Sequence, residues 1–235
     1  KKLSDYLEKW LSEKVRFTLK SLIELKDLKE NNSSIRALAY QLYENNGVLK
    51  RENVSEYLKN LEQKEKKILR NLGVKFGRYH IFLFKLLKPE AVSLRILLWK
   101  NYNQKFFNLK PPTFGLNFLE NKDLKNKNFM LLCGFESFDE YFVRIDILER
   151  LFVKIISSNP NKNAEIKLVP EMLNLLGCSK ENFLKLIKKM NYKTLEKNNE
   201  FYFIYTQNKQ KVKKFIPKNQ KTDNPFNILK KMSLK

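Results

Sequence analysis

Among 235 residues there is one histidine, two cysteines and six glycines. Each scarcity removes a class of chemistry. A serine or cysteine triad would have to use His80, the single imidazole. That residue lies in an apolar run, where a hydrogen-bonded core histidine is the simpler reading than a general base. Cys133 and Cys178 are far apart with no CxxC spacing, which speaks against a zinc site and fits reduced thiols in a cytoplasmic protein. None of the glycines precedes a lysine, so there is no GxxxxGK[ST] loop to cradle nucleotide phosphates, and GxSxG and HExxH are missing too. Carboxylates are plentiful, but none are paired in an apolar setting suited to acid–base work. The expectation is a chain with no catalytic residue, cofactor or metal ligand of its own. No apolar run is long enough for a bilayer, because Lys85 and Lys88 break the longest. The N-terminus is charged and helical in pattern, unlike a signal peptide, so no membrane partner is expected. The first residue is Lys1 rather than Met, and the expectation is a piece of a longer polypeptide.

Negative charge is also in deficit. Lys and Arg total 47 against 25 Asp and Glu, a net charge of +22. Such an excess points to a polyanion, here single-stranded RNA or DNA. Lysine outnumbers arginine 39 to 8, a bias that an AT-rich genome also produces, but +22 is large even for a lysine-rich chain. Hydrophobic residues make up 43%, enough for a true core.

The spacing of apolar residues predicts a mainly α protein with a small β component. A first helical stripe runs over 3–28 (Leu3, Tyr6, Leu7, Trp10, Leu11, Val15, Leu19, Leu22, Ile23). Ser33 or Ser34 is placed to cap a second helix carrying Ile35, Leu38, Ala39, Leu42 and Tyr43. Asn53 opens a third, with Tyr57, Leu58, Leu61, Ile68, Leu69 and Leu72, stopped by Gly73. Trp10 and Tyr40 read as core rather than as stacking platforms for bases. Residues 73–99, GVKFGRYHIFLFKLLKPEAVSLRILLW, are the most apolar part. Lys88-Pro89-Glu90 starts a helix there that reads as buried on several sides, with His80 and Trp99 in the core.

This gives a bundle-like helical domain over 1–110. Pro111-Pro112, Gly115 and many Asn and Lys residues mark a linker over 111–139, with a short strand in MLLCGFESF. From residue 140 to 206 the order is helix, strand at Glu165, helix from Pro170 to Gly177, helix capped by Ser179, then two strand-like runs around 196–199. That is the order of a winged-helix-like domain, which commonly meets nucleic acid through its last helix and its wing. On the helix after Ser179, Lys185, Lys188 and Lys189 lie opposite the apolar stripe, with Glu181 in the same arc, and Lys193 and Lys197 follow on the wing. Residues 207–235 read as a basic flexible tail in which Lys209, Lys211, Lys213 and Lys214 are further candidates for phosphate. A short amphipathic motif follows from Asp223 to Lys230. A solvated charged face and tail would give the same patterns.

The stretch over 73–99 resembles the region that follows the motor core in bacterial relatives of the mitochondrial degradosome RNA helicase, a superfamily 2 enzyme. Gly73, Val74, Phe76, Gly77, Tyr79, His80, Phe82, Leu83, Leu86, Leu87, Lys88 and Pro89 match that pattern, with Phe84 where it has proline. The likeness continues at Pro111-Pro112, Gly115-Leu116, the run from Val143 to Leu151, Glu171-Met172, the run from Leu176 to Ser179, Pro225-Phe226 and Leu229-Lys230. It implies ATP-binding motor domains with Mg upstream in the same polypeptide, and no residue here matches their ATP-binding motifs. The leading expectation is the C-terminal accessory, nucleic-acid-guiding region of an ATP-dependent RNA helicase. The alternatives are a stand-alone winged-helix nucleic-acid-binding or regulatory protein, and a protein-interaction scaffold.

Overall fold

The computed structural model describes residues 2–30, 32–104, 107–121, 126–158 and 165–205. Its helices begin and end where the backbone is punctuated. The long first stripe breaks at Leu19 into α1 (Lys2–Thr18) and α2 (Lys20–Lys26). Asn32, not a serine, caps α3 (Ser33–Glu44) by accepting from the Ser34 N–H. The third stripe is also divided, into α4 (Ser55–Lys59) and α5 (Gln63–Asn71). The extended Glu62 between them forms a reciprocal capping box with Glu65, so a new helix starts there. Pro89 opens α6 (Pro89–Tyr102), as its fixed φ favours.

Three small antiparallel sheets complete the mainly helical fold. The first joins β1 (Val48–Lys50), β2 (Val74–Phe76) and β3 (His80–Leu83), and the second joins β4 (Phe118–Glu120), β5 (Phe135–Phe138) and β6 (Tyr141–Arg144). The third joins β7 (Ile166–Lys167), β8 (Tyr192–Lys197) and β9 (Glu200–Tyr205). In each, the last strand lies between the other two: β1-β3-β2, β4-β6-β5 and β7-β9-β8.

The C-terminal elements lie where the sequence puts them: α8 (Ile145–Ser157), α9 (Pro170–Leu176) ended by left-handed Gly177, and α10 (Lys180–Lys189) capped by the Ser179 side chain. Earlier segments differ. Where MLLCGFESF was expected to be a strand, its first part belongs to α7 (Lys127–Leu132), capped by Asn126, and only its end forms β5. The segment before it supplies β4, which pairs with β6 from Phe118↔Val143 to Glu120↔Tyr141.

Three main cores form, and the third also takes Tyr141 and Val143 from the second sheet. Leu25, Ile35, Leu38, Leu69 and Ile81 centre the first; Phe129, Met130 and Phe142 the second; Leu148, Met172, Phe183 and Phe203 the third. Two expected core faces are corrected. No residue of α1 is buried, and its Leu3, Tyr6, Leu7, Trp10 and Leu11 face solvent, as does Tyr40 on α3. Helix α6 is enclosed only along Ala91, Val92, Arg95 and Ile96, while Leu97, Leu98 and Tyr102 are exposed. Trp99 is half-buried against Phe129, with ring centroids 5.6 Å apart. The fully buried Arg95 donates to the backbone oxygens of Asn46 and Leu86, each at 2.7 Å. It thereby ties α6 to the turn before β1. No helix among the described residues is long and apolar enough to cross a membrane.

Candidate nucleic-acid interface

The turn between β2 and β3 is shaped around one carboxylate. Glu149 projects from α8 and accepts from three successive backbone N–H groups: Arg78, Tyr79 at 2.8 Å and His80 at 2.9 Å. A Cβ on Gly77 would lie 2.3 Å from the Glu149 carboxyl carbon, so only glycine admits this approach. Behind it, the His80 Nε2 meets Glu136 at 2.8 Å, and the other Glu136 oxygen accepts from Lys50 at 2.7 Å. The His80 Nδ1 stands 3.7 Å from Glu149, an electrostatic contact too long for a hydrogen bond.

Burial would push the His80 pKa down, but two flanking carboxylates outweigh it and hold the ring above its ordinary range. Burial would likewise push Glu136 and Glu149 up. The His80 ring, with Lys50 for the first and the backbone donors for the second, holds both below the usual carboxylate range. His80 is 1% exposed and each ring nitrogen faces a carboxylate, so the network clasps β3 to β5 and α8.

The outer side of the clasp forms an open groove of about 970 Å³ between the first sheet and α8. Arg51, Lys75, Arg78, Arg150 and Lys154 line it, together with Phe76, Phe84 and Phe152. Its acids are engaged: Asp146 takes two bonds from Arg144, and Glu149 takes the backbone donors above. The Arg78 guanidinium lies over the Phe152 ring and the Arg70 guanidinium over Phe76, each 5.5 Å from the centroid. Cations alternating with aromatic faces suit a phosphate backbone with unpaired bases. Hydrophobic periodicity does not reveal these side chains, because they come from three separate stretches. One signal was available: three of only eight arginines, Arg51, Arg78 and Arg150, meet here.

The lysines expected on the last helix are exposed, but they are not equivalent. Lys189 is held by Asp139 at 2.6 Å, and Lys197 by Glu165 at 2.5 and 2.7 Å. Each pairing draws the lysine towards protein rather than ligand. Lys185, Lys188 and Lys193 make no ion pair among the described residues. Lys209, Lys211, Lys213 and Lys214 lie outside the described residues. Among the described residues no group of His, Cys, Asp and Glu could hold a metal ion. No protein-family model, curated protein or solved structure matches the chain.

Proposed function

We propose that this chain is the C-terminal accessory region of an ATP-dependent RNA helicase and that it guides a single strand past the motor. The observation that carries this reading is the groove of Arg51, Lys75, Arg78, Arg150 and Lys154 interleaved with phenylalanines. Lysine and arginine supply phosphate contacts, and the rings offer stacking faces indifferent to base identity. The unit from α8 to β9 is read as winged-helix-like, with α10 as its ligand-facing helix and Lys185 and Lys188 as its free cations. The resemblance of residues 73–99 supplies the helicase part of the proposal, with ATP and Mg belonging to motor domains upstream.

The test is a titration of the chain with labelled single-stranded RNA, and with DNA of the same sequence, at several salt concentrations. A Lys75→Ala, Arg150→Ala, Lys154→Ala variant should lower the log–log salt slope by about 2, from about 0.7 per phosphate contact. An unchanged slope and affinity in a folded variant would remove the groove from the interface. ATP hydrolysis by the purified chain, abolished by a point change within it, would contradict the accessory role.

The scaffold reading draws on a different observation, the exposed stripe of α1 from Leu3 to Leu11. Its mark would be binding to a protein partner, with salt-independent and negligible affinity for RNA.

A further inference from the structure

Three parts of the chain repeat one design. In each, a helix ends at a residue with positive φ: Gly73 at +94°, Gly134 at +90° and Asn191 at +68°. The next residue opens a hairpin, at Val74, Phe135 and Tyr192. Four residues before the turn lie Leu69, Met130 and Ile187, each 0% exposed. In the central strands of the hairpins that follow lie Ile81, Phe142 and Phe203, also 0% exposed. They pair outward with Leu49, Leu119 and Ile166. The turn and the buried residue four before it fix one register for α5, α7 and α10, and the third hairpin is the longer one.

In that register Lys67 and Arg70 of α5 coincide with Lys185 and Lys188 of α10. All four are exposed, and each pair is three residues apart, hence on one face. The middle unit has Asn128 and Leu131 at these places, and Leu131 packs inward against Val48, Phe82 and Ile145. Its helix is therefore part of the frame, while the outer two keep cations in solvent. Glu65 makes no ion pair with them among the described residues, and its carboxylate accepts from the Glu62 N–H at 2.8 Å.

We infer that α5 is a second phosphate-contacting helix, the counterpart of α10, and that Lys67 and Arg70 grip the phosphodiester backbone of a single strand. This rests on the nucleic-acid reading above. A separate observation places α5 beside the groove: Arg70 lies over Phe76, one of the groove's rings. A strand leaving the groove over Phe76 therefore meets Arg70 first and Lys67 one turn back along the same face. The contacts are point charges and a guanidinium on phosphate, so they carry no sequence preference.

The test uses the full chain and a labelled single-stranded RNA, with salt titrations of three double variants: Lys67→Ala with Arg70→Ala, Lys185→Ala with Lys188→Ala, and Lys9→Ala with Lys29→Ala. The last removes equal charge from exposed positions elsewhere. The α5 pair and the α10 pair should each lower the log–log slope by about 1.4, from about 0.7 per contact, and the quadruple variant by about twice that. The control pair should leave the slope at the parent value. If the α5 pair binds like the parent while the α10 pair or the groove variant loses slope, this proposal fails and the proposed function stands. If no site variant changes binding, both fail. If the control pair loses as much slope as the α5 pair, attraction is diffuse and α5 is no site. Circular dichroism melts of every variant establish that only surface charge has changed.

Discussion

A methyl group at residue 77 would occupy the space of the Glu149 carboxyl carbon. Gly77→Ala must therefore expel a carboxylate from the N–H groups of Arg78, Tyr79 and His80. The expected loss in urea unfolding is about 3 kcal/mol, the scale of a part-buried charged group parted from its hydrogen bonds. His80 gives the same network a pH signature. Its pKa is held above the ordinary 6.5, so its contribution to stability is complete below that value and is lost as pH rises through the raised one. Glu136 and Glu149 are held below 4.5, so theirs is complete above that value and lost as pH falls through the lowered ones. The melting temperature should be highest between about pH 4.5 and 6.5 on this account. His80→Gln should flatten its decline on the alkaline side. That His80 is a core residue was legible from its apolar neighbours. Its partners were not, because Glu136 and Glu149 are 56 and 69 residues further along the chain.

Among the elements, α9 and α10 were readable because each boundary carries its own marker: Pro170, left-handed Gly177 and the Ser179 cap. The break between α4 and α5 was hidden, since Leu61 continues the helical stripe while Glu62 leaves helical geometry. Helix α1 shows the limit of periodicity, which says that a face is apolar and not that anything covers it. With no buried residue, Val15 partly packed on the first core and an exposed Lys14–Glu90 pair towards α6, α1 should exchange its amide hydrogens ahead of every other long helix. Protection of 3–14 equal to that of α8 would show that something encloses it. Helix α6 is intermediate. Half-buried on Phe129, Trp99 should cost about 2 kcal/mol on change to alanine, below the roughly 3–5 kcal/mol of a fully enclosed aromatic. Thermal melts of that variant check it.

Across the whole molecule, the threefold design was not legible because the units share burial and backbone angles rather than residue types. Gly73, Gly134 and Asn191 do the same thing, as do Ile81, Phe142 and Phe203, yet no short motif joins them. The charged groove was illegible for a related reason: Arg51, Arg78 and Arg150 converge only once the first unit meets α8. That meeting makes the units interdependent. A fragment ending at residue 144 keeps the first core but lacks Glu149, and it loses Ile145, which packs with Val48 and Phe82. It should melt below the full chain, with loss of the pH signature assigned to Glu149. A fragment as stable as the whole would show that the first unit stands alone.

The clasp also sets an order of events during synthesis. The donors of Arg78, Tyr79 and His80 are made 71 to 69 residues before the carboxylate that receives them. At roughly 5–20 residues per second, the turn waits about 4–14 s on the ribosome for its partner. Throughout that interval the acceptor of these three donors does not yet exist. Until the helix bearing Glu149 emerges, water must serve the three N–H groups that its carboxylate serves in the finished fold.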